Sequence, residues 1–149
     1  MNDLLMRPAF AIYALSCVVL VLNLFALAGL TGGMRNKTKV VLNHEDRKVN
    51  SGAKVDQNEA DRVARLLRAH RNALENFVPF AVIGLLYVLM GATGRGAAIF
   101  MGTFVAARIL HSVVYLWAKQ PWRTIIYAVG VLATMGMLVQ VTRVLLVLL

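Results

Sequence analysis

Cysteine is almost missing from this chain: Cys17 stands alone among 149 residues. A single thiol excludes an intrachain disulfide and any metal site built on cysteines. Cys17 lies in an apolar run with no cation beside it to stabilise a thiolate, so it reads as a small, unreactive hydrophobe. Zinc-ligand spacing, a glycine-rich phosphate loop and a paired-carboxylate arrangement are absent as well. His111 and Ser112 are neighbours in sequence, which does not make a nucleophilic triad. The first apolar run has no carboxylate, which argues against a small proton-coupled exporter.

The most telling absence is charge. Residues 8–34, 76–94 and 124–142 contain no charged side chain, and residues 96–118 contain only Arg108 and His111. A hydrocarbon core of roughly 30 Å is crossed by about 20 helical residues, so each run is long enough to span it. The chain is 59% hydrophobic with a mean hydropathy of +0.67, too apolar for a soluble domain of this size. The expected fold is an all-α integral membrane four-helix bundle. It forms one domain over residues 1–149, with helices at about 8–30, 57–90, 97–118 and 122–149 and a polar connection at 34–55. The first run is too long for a signal-peptide core and lacks a small-residue cleavage pattern, so it is expected to stay in the mature chain.

The net charge of +9 is unevenly placed. Ten of the 16 Lys and Arg lie between Arg35 and Arg71, and Lys119 and Arg123 flank the third connection. The positive-inside rule then puts the first and third connections in the cytoplasm and both termini on the far side. The basic excess is a topology signal and an attraction for anionic lipid or ligand. With no DNA- or RNA-binding motif beside it, nucleic acid is not an expected partner.

Along the chain, Pro8 suits the first turn of the first span, and Thr31-Gly32-Gly33 would loosen or end that helix. In the first connection Asn43-His44-Glu45-Asp46 looks like a helix cap followed by an acidic first turn. Asp56 to Glu59 has capping-box spacing and is expected to begin the second span. Gly91 to Gly96 reads as a tight turn, and Gln120-Pro121 breaks the chain before the fourth span. Trp117 and Trp122 flank that break, as interfacial aromatics do.

Polar residues inside these spans fall on stripes. Arg68, Asn72, Glu75 and Pro79 are spaced four, three and four apart, one face of a helix with Arg71 beside it. Pro79 has no N–H for the Glu75 carbonyl and so frees an acceptor there. Arg62 and Arg65 read as a solvated face. Arg108, His111 and Tyr115 make a second stripe on the third span, with Arg108 near mid-bilayer, where an arginine must face protein or water. Its candidate counter-ion is Glu75, although counting from the far-side turn puts Glu75 nearer the cytoplasm. Arg123 and Tyr127 share a face of the fourth span with Thr124 adjacent, where a guanidinium, a hydroxyl and free backbone N–H groups make an anion site. All three stripes, with Arg35, open at one cytoplasmic mouth. The anion is not named by these residues.

Three stretches carry a resemblance: RAHRNALENFVPF (68–80), ARILHSVVY (107–115) and RTIIY (123–127), with a weaker match in NHED (43–46). In this order and in a four-span chain of this length, the sequence resembles the MAPEG family of eicosanoid and glutathione metabolism. Within it, the chain is similar to the branch of microsomal glutathione transferases and prostaglandin E synthases. The resemblance implies a homotrimer holding glutathione between subunits near the cytoplasmic side, in the bacterial inner membrane or the endoplasmic reticulum. It implies Arg35, Arg68, Arg71, Asn72, Glu75, His111, Tyr115 and Tyr127 as glutathione-binding residues, with Arg108 structural. Arg123 and Thr124 are implied to stabilise the glutathione thiolate, which attacks a lipophilic electrophile or lipid hydroperoxide. Asp46 corresponds to an acidic residue of proton transfer, or caps a helix. The alternatives are a prostaglandin endoperoxide isomerase and a non-catalytic lipid-binding scaffold. RTIIY and FVPFAVIGLLY lean towards different members of the branch, and Phe25, His44 and Thr124 depart from the synthase pattern.

Overall fold

The computed structural model describes residues 2–56, 58 and 60–149. A short turn of helix, α1 (Asn2–Leu5), precedes four long helices: α2 (Pro8–Thr38), α3 (Asp61–Leu89), α4 (Gly94–Leu116) and α5 (Trp122–Leu148). Each of the four is long and apolar enough to cross a membrane. The four-helix membrane bundle expected from the charge-free runs is the fold observed, and the chain is a multi-pass integral membrane protein.

The helix ends differ from expectation in ways that matter for the site. Pro8 does open α2, where its missing N–H has no partner to lose. The helix then runs through Gly32-Gly33 to Thr38, eight residues beyond the expected end at Leu30. Two glycines cost a helix only about 1 kcal/mol each. Buried Thr31 donates its hydroxyl to the Leu27 carbonyl at 2.8 Å and stays within the helix. The end comes at Lys39, whose backbone is left-handed (φ 54°, ψ 33°) and whose N–H donates to the Arg35 carbonyl. Extending α2 carries Arg35 on a helix instead of a loop.

The connection folds against that extension. Strands β1 (Val40–Val41) and β2 (Lys54–Val55) pair in parallel, Val40 with Lys54 and Val41 with Val55. Between them the expected short helix is a 3-10 turn, His44–Lys48, with Glu45 and Asp46 in its first turn. Asn43 does not cap its backbone; the side-chain amide donates to Asp46 Oδ2 at 3.3 Å. Residue 56 does not start α3 either. Its N–H donates to the Val41 carbonyl at 3.0 Å, and its carboxylate accepts from the Asn58 N–H at 3.0 Å. Backbone committed to the strand pair cannot also enter a helix, so α3 begins at Asp61. Glu59, the other end of the expected capping box, lies outside the described residues.

α3 continues through Pro79 to Leu89. Gly91, at φ 85°, makes the tight turn, a conformation that costs glycine little. Thr93 then caps α4 by accepting from the Gly96 N–H at 3.0 Å, so α4 starts at Gly94, three residues before its expected start. At the other end Ala118 is left-handed and the Gln120–Pro121 bond is cis.

α3 and α4 form the middle of the bundle, each touching the other three long helices, while α2 and α5 pack on them and barely on each other. In the core, the Phe80 and Phe104 rings stack parallel with centroids 4.3 Å apart, among Met101, Met137, Val88 and Leu20. Large apolar side chains such as Leu22 and Phe25 of α2 and Leu132 and Val139 of α5 face outward, as a lipid solvent requires.

Candidate functional site

The polar stripe of α4 is buried. Arg108 and His111 keep only 2% and 4% of their surface exposed. The Arg108 guanidinium donates through Nη1 to Asn72 Oδ1 of α3 at 3.4 Å. Its carbon lies 5.3 Å from the Tyr127 ring centre and 5.8 Å from that of Phe104, distances at which an aromatic face attracts a cation. Nε and Nη2 find no acceptor among the described residues. They press on α5 at Gly130, where a methyl group would sit 3.2 Å from Nε and 3.3 Å from Nη2. Glycine at 130 is therefore what allows α5 to approach α4 over the guanidinium. One turn along, Ser112 donates to the Arg108 carbonyl and accepts from Asn23 Nδ2, both at 3.1 Å, tying α2 to the same stripe.

Towards the α4–α5 turn the stripe becomes aromatic. The His111 ring centre lies 5.6 Å from that of Tyr115 and 6.0 Å from that of Tyr127. Arg123 lays its guanidinium over Tyr115, 4.8 Å from the ring centre. The Gln120 amide, oriented to satisfy both ends, accepts through oxygen from Arg123 Nε at 3.2 Å and Nη2 at 2.7 Å. Its nitrogen then donates to Thr124 Oγ1 at 3.2 Å. A continuous polar path thus joins Asn72, Arg108, Tyr127, His111, Tyr115, Arg123, Gln120 and Thr124. It holds two fixed positive charges and no carboxylate, an environment that favours an anion.

The stripe on α3 is divided. Asn72 is half-buried against α4, whereas Arg68, Arg71 and Glu75 are exposed. Arg71 Nε and Glu75 Oε1 form an i,i+4 ion pair at 2.9 Å. The expected Arg108–Glu75 pair is not formed, and depth is not the reason. Counted back from Leu89 and on from Gly94, the two residues come level, because α4 starts earlier than expected. Rotation decides instead: three residues along a helix turn Glu75 about 60° away from Asn72, out of the α3–α4 interface.

Arg35 and Asp46 line a cleft of about 300 Å³ between the end of α2 and the connection, together with Asn50. Asn50, 6% exposed, holds this corner. Its Nδ2 donates to the Arg35 carbonyl at 3.2 Å, its Oδ1 accepts from Lys39 Nζ at 2.9 Å, and its N–H donates to the Asp46 carbonyl at 2.9 Å. Gln120 and Asn50 were not among the expected site residues. The one signal for Gln120 was its position directly before Pro121 and three residues before Arg123; the polar connection offered nothing to single out Asn50.

The family model for MAPEG matches residues 13–143, a span that includes every residue of the polar path and of the Arg35 corner. The chain belongs to the MAPEG family. It is 37% identical over 146 residues to rat microsomal glutathione S-transferase 1, covering 95% of this chain and 91% of that protein. The human protein of that name is 38% identical over 133 residues, 87% of this chain and 84% of its own length. Horse prostaglandin E synthase is 34% identical over 135 residues, 90% and 86% of the two chains. This MAPEG member therefore resembles two kinds of enzyme at nearly full length, and its polar path lies wholly inside the matched region.

Proposed function

We propose that this protein is a glutathione-dependent membrane enzyme, a transferase and peroxidase acting on lipophilic electrophiles and lipid hydroperoxides. One observation carries the reading: Arg123 is held at the mouth of the bundle by the Tyr115 face and the Gln120 amide, with the Thr124 hydroxyl on the same amide. A guanidinium fixed in this way is a preorganised partner for a thiolate. A nearby cation lowers a thiol pKa and so raises the fraction of glutathione that is nucleophilic. Thr124 donates a hydrogen bond to the same sulfur. The mouth faces the cytoplasm, where glutathione is drawn from solution, while the second substrate arrives through the bilayer.

Glutathione carries two carboxylates and one amine, so Arg35, Arg68 and Arg71 take its carboxylates. Glu75 takes the amine. Its bond to Arg71 uses Oε1, and the second carboxylate oxygen serves the ammonium group. Asn72, His111, Tyr115 and Tyr127 line the path behind, and Arg108 is structural, pinned between α3 and α5. The cleft lined by Arg35 and Asp46 does not include Arg123. A homotrimer that sets the Arg35 corner of one subunit against the Arg123 mouth of the next completes the site.

In conjugation, the thiolate attacks the electrophilic carbon of an aryl halide, the C–S bond forms, and halide leaves with the C–halogen electron pair. With a hydroperoxide, the thiolate attacks the terminal oxygen and the O–O bond breaks. The alkoxide takes a proton to become the alcohol. A second glutathione then reduces the sulfenic acid, releasing water and the disulfide.

Purified protein is expected to conjugate glutathione to a chlorinated nitrobenzene. Arg123→Ala should lower kcat by about 10²–10³-fold, the usual loss on removing one preorganised stabiliser of developing or stored negative charge, while glutathione still binds. Full activity in that variant would remove the mechanism, and no glutathione binding by calorimetry would favour a lipid-binding scaffold. Identity to horse prostaglandin E synthase favours a second reading, isomerisation of a prostaglandin endoperoxide with Asp46 moving a proton. Turnover of the endoperoxide without glutathione consumption tests it directly.

A further inference from the structure

A second cleft lies at the same end of the bundle and uses none of the residues assigned to glutathione. It has a volume of about 470 Å³ and is lined by Leu30 and Met34 of α2, Arg62, Arg65 and Leu66 of α3, and Leu116 and Ala118 at the end of α4. That size falls within the range of ligand pockets. Its walls are apolar except for two guanidinium groups on successive turns of α3. Neither Arg62 nor Arg65 has a hydrogen bond or ion pair to any described residue. Leu30, half exposed, opens the cleft onto the outer apolar side of α2. Trp117, exposed between Leu116 and Ala118, marks the level of the membrane interface.

An apolar slot open to lipid and edged by two unpaired cations at headgroup height matches one chemistry, a long-chain amphiphile with an acidic head. At this level of a bilayer the abundant molecule of that kind is an anionic phospholipid. We propose that this cleft holds one anionic phospholipid of the adjoining leaflet. Its phosphate lies on Arg62 and Arg65, and the upper part of one acyl chain lies among Leu30, Met34, Leu66 and Leu116. Bound there, the lipid bridges α2, α3 and α4 just below the connection and steadies the mouth of the bundle. Arg62 and Arg65, which otherwise read as a plain solvated face, acquire a specific role.

The full chain reconstituted in nanodiscs tests this. Melting temperature is measured in pure phosphatidylcholine and in phosphatidylcholine with a minor fraction of phosphatidylglycerol. Phosphatidylglycerol should raise it, and Arg62→Ala/Arg65→Ala should abolish the rise and weaken phosphatidylglycerol binding at least about tenfold. Arg47→Ala/Lys48→Ala removes the same charge from the 3-10 turn and should keep the rise. Leu30→Trp, which fills the apolar slot and leaves both cations, should reduce it. Equal melting temperatures in the two lipids, or equal loss in both charge pairs, would overturn the proposal. Stabilisation by free oleate but not by phosphatidylglycerol would also overturn it, assigning the cleft to a fatty acid instead.

Discussion

The polar stripes of α3 and α4 have the same spacing and opposite fates. On α4, Arg108 and His111 are buried and shared among three helices: Asn72 of α3 accepts from one guanidinium edge, Tyr127 of α5 covers one face, and Gly130 of α5 yields space to the other edge. On α3, Arg71 and Glu75 satisfy each other across one turn and otherwise face outward. A buried guanidinium constrains how helices pack, because its desolvation must be offset by contacts that few arrangements supply. An exposed pair contributes little to folding and is available to something else. The difference separates a stripe that fixes how the helices pack from one whose charges remain accessible.

Breaking the buried side should cost the most. Phe104→Ala removes a ring stacked on Phe80 and facing Arg108, and should destabilise by about 3–5 kcal/mol, read as a lower melting temperature in detergent. Gly130→Val pushes a branched side chain into the guanidinium and should cost about 1–3 kcal/mol. Arg108→Met in the same background should recover part of that loss, which a general intolerance of α5 would not permit.

Gln120→Ala lies between the two regimes. Losing a hydrogen bond to a charged group costs about 1.5–3 kcal/mol, here paid by the orientation of Arg123. Turnover should fall by about tenfold or more with the melting temperature nearly unchanged. The ultraviolet absorbance of bound glutathione thiolate should decrease in parallel, which a purely structural Gln120 would not produce. Glu75→Gln sharpens the contrast from the exposed side. The surface pair is worth about 0.3–0.5 kcal/mol, so stability should hardly move. Glutathione affinity should nonetheless fall by at least about tenfold through loss of the charged contact to its amine. A large drop in melting temperature for Glu75→Gln, or none for Phe104→Ala, would erase the distinction between the stripes.

Much of this was legible in the residues themselves. Three charge-free runs and a fourth with only Arg108 and His111 announce four membrane helices because a bilayer tolerates little else, and i,i+3/i+4 spacing places Arg108, His111 and Tyr115 on one face. Other features resisted reading for identifiable reasons. Gly32-Gly33 looks like a helix end, but the cost of two glycines is small and the connection docks on the helix that continues beyond them. Asp56 looks like a helix cap, but its backbone is already used by a strand pair with a partner 15 residues earlier, Val41. The importance of Gly130 depends on which arginine of another helix lies opposite, and that of Gln120 on a turn that folds its amide back onto Arg123.

Sequence alone determined that this chain crosses a membrane four times, that its cations gather at one end, and that polar residues ride on helical stripes. Each of these follows from local composition and helical period, which need no knowledge of neighbours. Tertiary structure alone decided which stripe is buried, that Arg108 meets Asn72 and not Glu75, and that Arg62 and Arg65 edge an open apolar cleft. Those outcomes depend on the rotation of one helix against another. That rotation is set by the sum of many small packing contacts across the bundle, and no single stretch of residues contains it.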